Sequence, residues 1–397
     1  MSETRLTVLD HFAAIEDPRR AHGRLHRIGD IFAITLCAVI SGADGFEQIG
    51  TFAGVREEWF TRLLGLPNGV PSHDTIRRVL SAVKPAAFEE CFFAWMNACS
   101  DAAGLQRIHI DGKTLRGSGR KGRDGKGAFA PLHLVSAWAG KNGFTLGQVA
   151  VEGKSNEITA IPELLRTLEL KGCIVTIDAM GCQKEIAGQI ADGGGTYVLA
   201  VKENQPTLYA DIDELFARAL DTDFGGLEHE TLVTRDKGHG REETRTYHVI
   251  RNPPGLSTIN EWQGLQTVVM VTRERTTAKG TSLEHGYYIA NGVMTAAEWA
   301  EAIRGHWSIE NSLHWVLDVV FGEDADRTLD RNAAANLSMA RKVALSLIKA
   351  SPGKGSTPVK RLRAACNTDF LERVVEPLFA VALPPVAEAE TAGATPG

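Results

Sequence analysis

The residues in this sequence that could do chemistry are few and widely spaced. Asp111 ends the apolar run in "IHIDGKTL" and Asp178 ends the one in "IVTIDAMGC", each with a glycine within the next three residues. An ionised carboxylate buried unpaired at the end of an apolar strand is costly, and a cation held between two of them would offset that cost. The simpler alternative is that each aspartate caps the turn after its strand. A third acid, Glu310, lies in "RGHWSIENSLHWVLDVVFGEDADR", residues 304–327, between His306 and His314 at four-residue steps. On a helix those three share a face. Two chemistries compete for them. One is a zinc-dependent hydrolase using His306, Glu310 and His314. The other lends Glu310 to Asp111 and Asp178, forming an oxygen-rich site for Mg2+ or Mn2+. Two such ions would clamp the attacking and leaving oxygens of a phosphoryl transfer. Helix geometry weakens the zinc trio, because i to i+8 spans about 12 Å, too far for one ion with bonds of about 2 Å.

The elements that must position these residues follow from periodicity. Residues 1 to about 100 read as helical. "GDIFAITLCAVISGA" reads as a buried helix, and "FEQIGTFAGVREEWFTRLLG" as one amphipathic helix. "GVPSHDTIRRVLSAV" reads as a turn with Ser72 as N-cap, then a helix bearing Arg77 and Arg78. A short loop before a capped, arginine-bearing helix fits a DNA recognition helix; a solvated basic face of a bundle fits equally. From about residue 105, "IHIDGKTL", "LHLVSAWAG" and "FTLGQVAV" have strand composition. They are followed by helix "EITAIPELLRTLEL", strand "CIVTIDAM", helix "QKEIAGQIA" and strand "TYVLAVK". Three meandering strands, then helix–strand–helix–strand, is the element order of a ribonuclease H-like α/β core, though other mixed folds share it.

A β-rich insertion is expected over about 221–291, after which helix returns at "MTAAEWAEAIRGHWSIENSLHWVLDVV" with Thr295 and Glu298 as a capping box. The predicted organisation is a helical N-terminal domain over 1–104, an α/β domain over 105–350, a helical extension over 351–383 and a disordered tail over 384–397.

At 397 residues, 43% hydrophobic and 23% charged, the chain has material for two or three cores. Net charge of −6 counts mildly against a nucleic-acid partner, but charge is unevenly distributed. From Arg107 to Lys126 there are seven Lys/Arg against two Asp, and from Arg327 to Arg363 nine against one. These two segments are expected to supply phosphate contacts and a steep salt dependence of DNA binding. The six cysteines form no CxxC pair, which suits a reducing cytoplasm and argues against a cysteine zinc cluster. No apolar run reaches membrane-span length, and "MSETRLTVLDHF" lacks a signal-peptide core. Trp307 and Trp315 read as core anchors rather than base-stacking platforms.

Taken together, "HIDGKTLRGS", "KSNEITAIPELL", "VTIDAMGCQKEIA", "VKENQPTLY", "KGHGREETR" and "IRGHWSIENSLHWVLDVVFGEDADR" resemble bacterial insertion-sequence transposases of the DDE class, nearest the H-repeat-associated subgroup. "DPRRAHGRLHRIGDIFAI" and "PSHDTIRRVL" resemble that family's associated N-terminal region, so the likeness runs from about residue 10 to 375. The resemblance implies a ribonuclease H-like catalytic core with Asp111, Asp178 and Glu310 as catalytic and metal-binding triad. It also implies Mg2+ or Mn2+ as cofactor, terminal inverted repeats and target DNA as partners, a homodimer in the synaptic complex, and action at the bacterial nucleoid. A DNA-binding regulator that has lost cleavage is the non-enzymatic alternative. Many related transposases carry Tyr-x2-Arg-x3-Glu-x6-Lys around the third acid; here those offsets fall on Ile303, His306, Glu310 and Leu317. DNA-gripping roles would then pass to Arg304, His306 or His314. Further DNA contacts are expected from Lys113, Arg116, Lys202, Asn204, His239, Arg241 and Arg245, with Glu157 and Asp318 supporting the site from behind. Glu310 is expected to hold the metal, and the two histidines to face DNA or orient the glutamate.

Overall fold

The computed structural model describes residues 8–20, 24–100, 107–120, 128–140, 143–151, 157–238 and 241–379. The tail beyond residue 383 and His239 fall outside them. The N-terminal part is helical: α1 (Val8–Ala13), α2 (Ile28–Ile40), α3 (Phe46–Val55), α4 (Glu57–Leu64), α5 (His73–Ala82) and α6 (Pro85–Ser100). α2 is apolar on all sides because it is buried on all sides. The stretch expected to form one amphipathic helix is instead α3 and α4, broken at Arg56. The Arg56 guanidinium there donates to Thr368 Oγ1 and the Ala365 carbonyl, each at 2.6 Å. α5 starts where Ser72 accepts the Thr75 N–H.

The sheet begins with β1 (Arg107–Leu115), β2 (Leu132–Ala139) and β3 (Phe144–Val151), an antiparallel meander. Through α7 (Glu157–Leu165) and α8 (Lys184–Asp192), β4 (Ile174–Ile177) and β5 (Thr196–Val201) join it parallel to β1. After α9 (Pro206–Asp221) come β6 (Glu228–Gly238), β7 (Arg241–Arg251), β8 (Thr267–Thr277) and β9 (Gly280–Ala290). These four extend the same sheet, because β9 pairs antiparallel with β5. The strand order is β3-β2-β1-β4-β5-β9-β8-β7-β6. The chain is thus mixed α/β around one large sheet.

The chain then returns across the sheet as α10 (Ala296–Ile309), a π turn (Glu310–His314) and α11 (Trp315–Val320). Thr295 and Glu298 form the capping box that starts α10. α12 (Arg331–Ala350), α13 (Thr357–Cys366) and α14 (Thr368–Phe379) complete the described chain. α12 is almost wholly buried, and one apolar core runs from Phe12 to Leu378, joining the first helices to the last. Among the described residues, no helix is long and apolar enough to cross a membrane.

One expectation is cut back here and another fails, for physical reasons. The basic segment 327–363 offers less surface to phosphate than its charge suggests, since Arg341, Lys342, Lys360 and Arg361 are buried while Arg327, Lys354 and Arg363 stay exposed. Arg341 donates to Asp326 Oδ2 at 2.8 Å, Lys342 to Ser136 Oγ at 2.9 Å, Lys360 to the Ser351 carbonyl at 2.8 Å and Arg361 to Asp44 Oδ1 at 3.0 Å. Their charges satisfy carbonyls and carboxylates inside the fold. Trp307 and Trp315 are not core anchors: they are 60% and 55% exposed, and the inward face belongs to Ile303, Ile309, Leu313 and Leu317.

Lys113, on β1, ties the returning helix to the sheet. Its ammonium sits in an acid cage, against Asp318 on α11 and the buried Glu323 beyond it. Burial pushes the Glu323 carboxyl up, but Lys113, Lys342 and Arg341 outweigh it and hold it down at about 2. Deleting one partner of such a buried pair leaves a desolvated charge. Lys113→Met should therefore lower stability by about 3 kcal/mol in urea unfolding. Adding Glu323→Gln should recover part of the loss. A cost below about 1 kcal/mol would mean that Lys113 is not what anchors α11.

Candidate active site

Strand register builds the site. In the parallel pairing of β1 with β4, Ile108 lies opposite Val175, His109 opposite Thr176 and Ile110 opposite Ile177. Asp111 and Asp178 each follow that last rung. Alternation puts them on the face shared by His109 and Thr176, while the isoleucines point into the core. Neighbouring strands lie about 4.8 Å apart, so the register alone brings the two aspartates together. β1 does not end at Asp111, as the sequence suggested. It runs on to Leu115 because β2 continues to pair with it after β4 has stopped. Gly112 has a different use: a Cβ there would stand 2.5 Å from both Glu157 Oε1 and His133 Nε2. That buried pair, 2.7 Å apart, fills the space behind Asp111.

Asp178 follows β4 and caps the next turn, its Oδ1 accepting the Met180 and Gly181 N–H groups at 3.0 and 3.3 Å. The turn-capping alternative therefore describes its backbone contacts, while its side chain also lines the cleft. Asn204 holds the same turn from outside, donating to the Ala179 carbonyl at 2.7 Å.

α10 lies over this face. His306 Nδ1 is 2.9 Å from Thr176 Oγ1, which is 2.7 Å from His109 Nδ1 on the other side. Burial lowers the pKa of both histidines, that of His109 to about 3, so the pair packs as neutral rings. His306 is bonded to the sheet and also lines the cleft. The helix then widens into the π turn, and His314 Nδ1 comes to 3.3 Å from Glu310 Oε2 and 3.5 Å from Asp111 Oδ2. The donor atoms of Asp111, Glu310 and His314 all lie within 4.8 Å of one another. This grouping takes in His314 and leaves out both His306 and Asp178, so the zinc trio of the sequence reading is not assembled, and Asp178 stands beside the cluster on the same cleft. His314 is buried and Glu310 half exposed. The hydrogen bond from His314 lowers the Glu310 pKa.

The acids open onto a cleft of about 1130 Å³, lined also by His306, Trp307, Lys202, Asn204 and Arg273. Of the other residues expected to contact DNA, Arg77, Arg78, Lys202 and Arg241 are exposed, as is Arg116 although it pairs with Asp324. Arg304 pairs with Asp236 at 2.7 Å and stays half exposed. Lys113 is spent in its acid cage. Arg245 is held by Asp236 and Glu243, at 2.6 and 2.8 Å, and is mostly buried. His109, Thr176 and Arg273 escaped the sequence reading. For the first two the signal was present, since each lies two residues before an aspartate and so on its face. Nothing in the sequence singled out Arg273.

The family described as "Transposase DDE domain" matches residues 103–347, and the one described as "DDE_Tnp_1-associated" matches residues 9–96. The protein named "Putative transposase YncI" of Escherichia coli O157:H7 is 43% identical over 376 residues, 93% of this chain and 94% of its own length. "H repeat-associated putative transposase YhhI" of Escherichia coli K12 is 39% identical over 374 residues, 93% of this chain and 97% of its own. The solved structure titled "Cryo-EM structure of piggyBac transposase synaptic complex with hairpin DNA (SNHP)" covers 98% of this chain and 86% of its own at 10% identity and a TM-score of 0.40, too slight a likeness to bear on fold or function.

Burial pushes the Asp111 carboxyl up to about 6; His314 and the Gly112 N–H pull it down, and Asp178 and Glu157 push it further up. A carboxylate with a raised folded pKa costs stability once it ionises. The cost is absent below its ordinary pKa of 3.8 and complete above about 6. Asp111→Asn removes it. Without added metal, the variant should be more stable than the parent by roughly 2–3 kcal/mol above about pH 7, and the gain should vanish near pH 4. Melting curves across that range check this; a variant less stable at neutral pH would contradict it.

Proposed function

Because this chain belongs to the family of transposases with the DDE domain, we propose that it is the DNA transposase of a bacterial insertion sequence. In this account it cuts one strand at the element's end and joins the freed 3′-hydroxyl to target DNA. The carrying observation is that Asp111 and Asp178, each following the last rung of the β1–β4 ladder, line one open cleft with Glu310. The five strands β1 to β5, a meander followed by two parallel strands through helices, support a ribonuclease H-like core for this half of the sheet. β6 to β9 are then its insertion. The helices before residue 104 are the region for recognising element ends, with Arg77 and Arg78 exposed on α5.

The residues fit a hard divalent cation. Three carboxylates from three separate elements converge on one cleft, and burial without a cation holds Asp111 near the point of protonation. Asp111, Asp178 and Glu310 would hold Mg2+ or Mn2+, two ions in our reading. Bound there, the ions would neutralise phosphate charge and activate the attacking hydroxyl. The protein's own contribution is placement. Thr176 and His306 fix α10 against the sheet, and Lys113 fixes α11, so Glu310 is delivered at a set height above the aspartates. Lys202 and Arg116 offer exposed charge to the phosphate backbone. Exposed Trp307, at the cleft wall, offers a flat face to a base or sugar. Bringing two element ends together calls for two copies, and the work takes place on chromosomal DNA in the bacterial cytoplasm.

The test uses the full chain and a duplex carrying the inverted repeats that flank its coding region. With Mg2+ or Mn2+, nicking at the repeat end should appear. Asp178→Asn and Glu310→Gln should each lower its rate at least a thousandfold, with gel-shift binding and melting temperature little changed. Either variant cutting at the parental rate would remove that residue from the site. Absence of nicking with both metals would favour a DNA-binding regulator.

A further inference from the structure

We propose that His314 is itself a ligand of the cation site, giving it one imidazole nitrogen beside its carboxylate oxygens, and that this tilts the site toward Mn2+ over Mg2+. The proposal rests on reading the carboxylate cluster as a cation site, and goes beyond it by naming a donor outside the three acids. It also reverses the sequence expectation that both histidines stay clear of the metal.

Three observations carry it. The first is spacing. Donors next to each other around a six-coordinate ion with bonds near 2.1 Å stand about 3 Å apart, and opposite donors about 4.2 Å. His314 Nδ1 lies 3.3 Å from Glu310 Oε2 and 3.5 Å from Asp111 Oδ2, and all three donor atoms fall within 4.8 Å. Once it gives up the proton it shares with Glu310, the nitrogen stands at ligand-to-ligand distance from its neighbours.

The second is commitment. The His314 side chain is only 4% exposed, its Nε2 is buried without a hydrogen-bond partner, and its Nδ1 lies against two carboxylates. A surface histidine that happened to meet an acid would have water on its other edge. This ring turns its Nδ1 edge to the carboxylates and keeps its other edge buried.

The third is backbone. His314 ends the π turn that begins at Glu310, a local widening that helices seldom carry except where function asks for it. Lys349 holds the turn, donating to the Ser312 carbonyl at 3.0 Å while stacking on Trp138. The widened turn presents Glu310 and His314 to Asp111 together, while His306, one turn earlier, is bonded to Thr176 instead. The two histidines flanking the glutamate thus have different partners.

A nitrogen donor favours transition ions over Mg2+, which strongly prefers oxygen. The experiment loads tag-free, full-length protein with Mn2+ in the absence of DNA and records pulsed electron paramagnetic resonance. The result expected is modulation from a directly bound imidazole nitrogen, which shifts when histidine is labelled with 15N. His314→Phe should abolish it while Mn2+ still binds, and the ratio of Mn2+ to Mg2+ affinity should fall about tenfold. His306→Gln should keep the modulation. Mn2+ bound to the parent protein without nitrogen modulation would overturn the His314 proposal and leave the carboxylate site standing. Modulation lost in His306→Gln but kept in His314→Phe would also overturn it. No Mn2+ binding by the parent protein would overturn the cation site, and this proposal with it. The parent spectrum decides the matter even if His314→Phe fails to fold.

Discussion

The placement of two carboxylates side by side, where the ladder between β1 and β4 ends, is the constraint on which the rest of the site depends. The pairing of Ile110 with Ile177 leaves Asp111 and Asp178 no choice of neighbour. On neighbouring strands and partly shielded from bulk water, like charges favour protonation or a cation. Burial is the main cause of the raised Asp111 pKa, and the charge of Asp178 adds to it. The buried Glu157–His133 pair behind Asp111 adds a further negative neighbour while closing off escape into the sheet. A site built this way is unsettled by itself and completed by positive charge.

Everything above this pair serves to bring a third acid down on it at a fixed height. Thr176 bonds to histidines from two elements, so it works as a rivet between β4 and α10. Lys113 lies two residues beyond Asp111 on the same face and holds α11 through Asp318 and Glu323. α12 closes the far side, with Lys342 threaded between Ser136 of β2 and Gln148 of β3. Burial lowers the Lys342 pKa to about 8, a measure of how far this cation has been drawn from solvent for the sake of position. The helices at the two ends of the chain share one core with the sheet and α12.

Much of this was legible in the sequence. The strand and helix order, the Ser72 cap and the Thr295–Glu298 capping box all depend on local pattern, and local pattern is what a sequence displays. What it concealed depends on partners far along the chain. Lys113, Arg245, Arg341 and Arg361 look like free charge until Glu323, Asp236, Asp326 and Asp44 are placed beside them. The break at Arg56 is set by contacts with Thr368 and Ala365, more than three hundred residues later. Trp307 and Trp315 were assigned inward because large aromatics usually are, yet the inward face was already filled by Ile303, Ile309, Leu313 and Leu317. The π turn has no distinctive residue signature. Counting in regular helical steps therefore treated His306 and His314 as equivalents, and the structure separates them.

The central claim is that Asp111, Asp178 and Glu310 form one cation site. The most direct measurement is anomalous X-ray diffraction from crystals of the full-length protein soaked in Mn2+. The account predicts an anomalous peak within bonding distance of Asp111 and of at least one of the other two acids. A well-ordered site with no peak, or Mn2+ bound only elsewhere on the protein, would contradict it.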